Sequence, residues 1–112
     1  MKHPAGNCPV ATTLAVVGGK WKTVILYHLN EGVHRFAELK RLLPGISQKV
    51  LTQQLRELER TGIILRRVYA QVPPKVEYSL TAYGQTLRPV LQALGSWGAE
   101  HERRTVRPAK AA

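Results

Sequence analysis

Ser47-Gln-Lys-Val-Leu-Thr-Gln-Gln-Leu-Arg-Glu-Leu-Glu-Arg-Thr-Gly62, running on to a ribbon that closes at Pro73-Pro74 and ends at Leu80, is the stretch that decides the fold. Leu51, Leu55 and Leu58 recur at the spacing that places them on one helical stripe. Half a revolution away the helix carries Lys49, Thr52, Gln53, Arg56 and Arg60, with Gln48 at the edge and no acid among them. Arg and Lys pair with guanine edges and Gln with adenine, so this face has the chemistry of a helix lying in a DNA major groove. An ordinary solvated helix can show the same face, and the helix alone does not separate the two readings.

The flanks narrow the choice. Phe36, Leu39, Leu42 and Leu43 mark an apolar helical face just upstream, and Pro44-Gly45 breaks it. Ser47 is a good N-cap for the next helix and Gly62 closes it. Helix, tight turn and amphipathic helix over residues 36–61 read as a helix-turn-helix. Ile64 to Gln71 is rich in β-branched and aromatic residues, and Val76, Tyr78 and Leu80 alternate with Lys75, Glu77 and Ser79. Two strands joined at Val72-Pro73-Pro74 form a wing, made basic by Arg66, Arg67 and Lys75, with Glu77 available to an arginine across the strands.

Upstream, residues 1–7 read as a frayed end. A helix starts at Cys8-Pro9, since Pro suits the first helical position, and stops at Gly18-Gly19 with Val10, Leu14 and Val17 on one stripe. A second helix spans roughly Lys20 to Asn30 with Trp21, Val24, Ile25 and Leu29 inward, and Val33-His34-Arg35 is a brief extended piece.

Downstream, Thr81 is a helix cap, and Tyr83, Leu87, Val90, Leu91, Leu94 and Trp97 make a long apolar stripe that Pro89 should kink or split. A small winged domain already has a core, so this helix needs a further cover. The reading adopted is the same helix of a second subunit, helped by the apolar first helix, with Leu14, Leu87, Leu91, Leu94 and Trp97 at the interface. The alternative is a helix folded back on its own domain. Residues 1–102 form the single domain, with 82–102 as the dimerisation region. Arg103, Arg104, Arg107 and Lys110 belong to a basic flexible tail over 103–112. The expected class is therefore mainly α with a small β-hairpin, a winged helix-turn-helix carrying extra N- and C-terminal dimerisation helices.

Composition agrees. The 112 residues suffice for one core, 44% of them are hydrophobic, and the formal net charge is +10 with every acid a Glu. Such an excess favours a polyanion, nucleic acid before membrane. No apolar run approaches the ~20 residues that span a bilayer, and Met1-Lys2-His3-Pro4 leads into no long apolar segment, so no membrane partner and a cytoplasmic location are expected. One cysteine and four scattered histidines offer no metal site, and no nucleophile, paired-carboxylate or phosphate-loop arrangement points to an enzyme or a cofactor.

These motifs together resemble the HxlR-type winged-helix transcriptional regulators. The resemblance rests on Cys8-Pro9-Val10, Gly19-Lys20-Trp21-Lys22 and Arg35-Phe36-x-Glu38-Leu39, then Gly45-Ile46-Ser47-x-Lys49-x-Leu51-Thr52 and Pro73-Pro74-x-Val76-Glu77-Tyr78-x-Leu80-Thr81. Gly84, Pro89 and Trp97-Gly98 fit as well, and the match runs from Cys8 to about His101. The family implies homodimers on a pseudo-palindromic double-stranded DNA operator. Carried to this chain, Ser47, Gln48, Lys49, Thr52, Gln53 and Arg56 face the groove, Arg35 and Lys22 touch phosphates, and Lys75 reaches flanking DNA from the wing. The resemblance also implies that Cys8 senses an oxidant, an electrophile or another small-molecule effector. Independently, a thiol at a helix N-cap sits where the dipole favours negative charge on sulfur. A winged-helix module for a protein or RNA partner is the rival reading. It fits the charge but not the lack of aromatic anchors on the outer face of 48–60.

Overall fold

The computed structural model describes the backbone of residues 8–111 and the side chains of residues 8–105; the expected frayed end at 1–7 lies outside the described residues. Five helices and three strands follow in the order α1 (Pro9–Val17), α2 (Lys22–Glu31), β1 (His34–Arg35), α3 (Phe36–Leu42), α4 (Gln48–Arg60), β2 (Ile64–Tyr69), β3 (Lys75–Leu80) and α5 (Arg88–Ala111). A 3₁₀ turn, Gly84–Leu87, precedes α5.

The core is aliphatic. Ile25, Leu26 and Leu29 of α2 meet Leu39 and Leu43 from α3 and its end, and Leu51, Leu55 and Leu58 of α4, all buried. Burial of a leucine of this kind contributes about 1.5–3 kcal/mol relative to leaving it in water. α2 is rotated from the expected facing: Leu26 is buried while Val24 is exposed. β3 is the central strand of an antiparallel sheet in the order β1-β3-β2. Its register pairs Ile64 with Leu80, Arg66 with Tyr78 and Arg67 with Glu77, and on the other side Arg35 with Glu77. Tyr78 and Leu80 thereby reach the core from one strand face.

Local chemistry sets the joints. Ser47 Oγ accepts the Val50 amide at 3.1 Å, capping α4, and Gly62 turns out of that helix at φ +82°. The Thr81 hydroxyl donates to the Gly62 carbonyl at 2.6 Å and accepts the Gly84 amide at 2.9 Å, pinning the strand end against the start of the wing. Gly84 is required there because a Cβ would stand 2.0 Å from the Ile63 carbonyl oxygen.

Two expectations about the C-terminal helix are corrected. Leu91, expected at a subunit interface, is 1% exposed and packs into the chain's own core, with Leu87 half-buried beside it. The stripe is wide enough to divide, one edge facing inward and Val90, Leu94 and Trp97 left outside. The basic tail from Arg103 is helical, since α5 continues to Ala111. Glu100 pairs with Arg103 and with Arg104 one turn on, which supports continuation past Trp97. Pro89 falls in the first turn of α5, where a missing amide costs little, so the pattern is split at the 3₁₀ turn and α5 is not kinked there.

Candidate nucleic-acid interface

α3, the Pro44-Gly45 turn and α4 make the helix-turn-helix. With its leucine stripe buried, α4 must turn its opposite face outward. Gln48, Lys49, Thr52, Gln53, Arg56 and Arg60 line one shallow concavity on that face. All but the half-buried Thr52 are exposed. Six donor side chains, three of them cationic, thus converge on one surface. Ser47 sits at the head of this surface with its oxygen already engaged by the helix cap. Its place by the helix N-terminus remains favourable for a phosphate.

A second groove lies between α4 and the wing, lined by Phe36, Gln48, Thr52, Arg56, Glu59, Arg66 and Tyr78 among others. Arg56 is common to both surfaces. Arg66 is the candidate cation that reading the sequence undervalued. It is exposed, and it projects from the same strand face as Ile64 and Val68 toward α4. The period-two alternation carried that signal, but only the register with Tyr78 says which face meets the helix. Glu59 places a carboxylate at the edge of this groove, beside a face otherwise free of acid.

The remaining expected contacts divide. Arg35 is exposed at the N-cap of α3, and Glu38 Oε1 accepts its backbone amide at 2.7 Å, fixing the turn from which the guanidinium extends. Lys75 is less free. Its Nζ lies 3.3 Å from Glu77 Oε2 and 4.8 Å from the Tyr69 ring centre. The Tyr69 hydroxyl first, and Lys75 after it, hold the Glu77 carboxyl below its ordinary pKa, while Tyr69 raises that of Arg67. Lys22, expected at a phosphate, is instead paired within the chain. Its Nζ is 2.6 Å from Glu57 Oε1 on α4.

Cys8 is exposed at the N-cap of α1, followed by Pro9 and with its side chain outside the capping hydrogen bonds. On α1 only Val17 is buried; Val10 and Leu14 face solvent. Among the described residues no three His, Cys or acidic side chains gather as metal ligands, and no helix is long and apolar enough to cross a membrane.

Comparison with known proteins matches this geometry. Residues 16–106 fit the model of the HxlR-like helix-turn-helix family. The HTH-type transcriptional regulators YtcD and YdeP of Bacillus subtilis are similar to the chain. YtcD is 60% identical over 101 residues, 90% of this chain and 80% of that protein. YdeP is 58% identical over 98 residues, 88% of this chain and 77% of that protein. The solved structure of the redox regulator HypR in its oxidized form superposes with a TM-score of 0.80 at 55% identity, covering 83% of this chain and 96% of HypR. The chain belongs to the HxlR-like helix-turn-helix family and is a DNA-binding transcriptional regulator of the winged-helix class.

Proposed function

We propose that the protein acts as a homodimeric, sequence-specific repressor whose paired α4 helices read successive major-groove segments of a pseudo-palindromic operator. The observation that carries this reading is the outward face of α4, where Gln48, Lys49, Gln53, Arg56 and Arg60 are exposed together opposite a fully buried leucine stripe. Arg35 and Arg66 flank it as phosphate contacts, with Lys75 a lesser one. Occupancy alone blocks polymerase, so repression is the simplest outcome.

The dimer is supported by two apolar surfaces without a partner in one chain. Leu14 is 59%, Leu94 52% and Trp97 70% exposed. Large exposed apolar side chains on the first and last helices mark association surfaces. Two-fold pairing there spaces the reading helices by about 34–36 Å, or a multiple, along the duplex.

Cys8 is the effector site of this reading. Its exposure and its place at the head of α1 support it, as does the similarity to a regulator described as a redox regulator. With a single cysteine per chain, oxidation gives a sulfenic acid or a disulfide to another molecule. The test is fluorescence anisotropy of reduced protein on the DNA upstream of its own gene against a scrambled duplex. A preference of ~10³-fold or more supports operator reading, and equal, steeply salt-dependent binding to both removes it. Cys8→Ser should keep the reduced affinity and lose any response to peroxide or quinone. Matching responses from both proteins would eliminate Cys8 as the sensor.

A further inference from the structure

Lys22 is the first residue of α2, where a cation opposes the helix dipole and calls for an anionic partner. Glu57 supplies that partner from α4, at 2.6 Å, with the two side chains only 16% and 31% exposed. The other ion pairs among the described residues lie within single elements: His28–Glu31 in α2, Lys75–Glu77 in β3 and the Glu100 pairs in α5. Lys22–Glu57 is thus the one described pair that joins two elements, and one of them is the DNA-reading helix.

Its place on α4 matters. Glu57 follows Arg56 directly and stands one turn from both Gln53 and Arg60. The leucine stripe seats one side of α4 in the core, and the hydrogen-bonded ion pair at its flank adds a directional contact that apolar packing does not supply. Beside Lys22, the Thr23 hydroxyl donates at 2.6 Å to the carbonyl of Val17, the last residue of α1. The first turn of α2 is therefore fastened both to the helix capped by Cys8 and to the helix proposed to read DNA.

We propose that Lys22 is a positioning residue for DNA reading: through Glu57 it sets the rotation of α4 about its axis, and through the first turn of α2 it ties that rotation to the end of α1. The inference rests on the proposed groove-reading role of α4. A residue acting this way supports affinity for the operator and contributes nothing on an arbitrary duplex. A phosphate contact contributes on both.

The experiment uses the full chain, a duplex enriched from a random-sequence pool by the wild-type protein, and a scrambled duplex. Lys22→Met and Glu57→Gln should each lower affinity for the enriched duplex about tenfold, with the double variant no weaker than the singles. Binding to the scrambled duplex should not change, and the exchange Lys22→Glu with Glu57→Lys should recover most of the loss. The inference is overturned if Lys22→Met weakens both duplexes equally and flattens the salt slope by about one ion while Glu57→Gln binds more tightly, or if all variants bind as wild type.

If the pool yields no enriched duplex, operator reading fails by itself, and the rotation is read without DNA. The Glu57 carboxyl should then titrate below the ordinary glutamate range by carbon NMR and move upward in Lys22→Met, with the Gln53 and Arg56 amide resonances shifting. An unchanged Glu57 titration, or unmoved amides, overturns the inference.

Discussion

α4 and α5 are both amphipathic, and they finish their folding in opposite ways. The three leucines of α4 are all buried within the chain, and what it turns outward is polar and cationic. α5 places Leu91 in the core yet leaves Val90, Leu94 and Trp97 in solvent, with the Trp97 ring stacked on His101 at 5.0 Å. One helix lacks only a polyanion; the other lacks an apolar surface. Charge and apolar area have thus been sorted onto separate faces, so DNA binding and the proposed self-association would make different demands on the same small body.

Substitutions can break this contrast, and the largest effect should come from inside. Leu55→Ala removes a buried side chain of α4 and should cost roughly 2–5 kcal/mol of stability in urea unfolding. A loss below 1 kcal/mol would mean that the stripe is not what seats the helix. Next, Leu94→Glu should leave monomer unfolding almost unchanged while weakening self-association by about 2 kcal/mol or more in sedimentation equilibrium. An unaltered dimer would move the interface elsewhere.

Arg56→Ala tests the outer face of α4 and should cost about 1–3 kcal/mol on specific DNA, with selectivity relaxed. Equal losses on every duplex would reassign Arg56 to phosphate, in line with its place in the groove shared with Arg66. Ser47→Ala deletes the cap on Val50 and should lower thermal stability by about 1 kcal/mol, with DNA affinity following only as far as α4 frays.

The smallest effect is in the acid limb. Lys22 holds the Glu57 carboxyl below its ordinary pKa, so the ionised side chain is favoured in the folded state. That stability is present above the unfolded-state pKa and is lost as pH falls through the lower folded one. Lys22→Met should therefore be slightly less stable than the wild type at neutral pH, show a flatter fall below about pH 4.5, where free glutamate titrates, and converge on the wild type in stronger acid. Parallel acid limbs for the two proteins would show that the pair adds nothing to stability.

Much of the fold was legible because its signals are local. The leucine spacing, the Pro44-Gly45 break, the Ser47 cap and the alternation of 76–80 each depend on a few neighbouring residues, and the structure places all four as read. Errors gather where a residue had more than one partner to choose from. Val24 and Leu26 are two positions apart on α2, and only the packing of α5 and the sheet decides which is covered. Leu91 and Leu94 belong to one stripe, yet the approach of α2 claims the first and leaves the second. Lys22 read as a free cation because Glu57, 35 positions away, gave no local sign of being its partner.

By itself, the sequence determined the helix-turn-helix, the wing, the basic character and the identity of the outward face of α4. These follow from periodicity, capping and charge, which act within a turn or a strand. Tertiary structure alone decided the register that aims Arg66 at α4, the division of the α5 stripe, and the pairing of Lys22 with Glu57. Each of those depends on which distant surfaces approach, and the energies involved belong to contacts between elements.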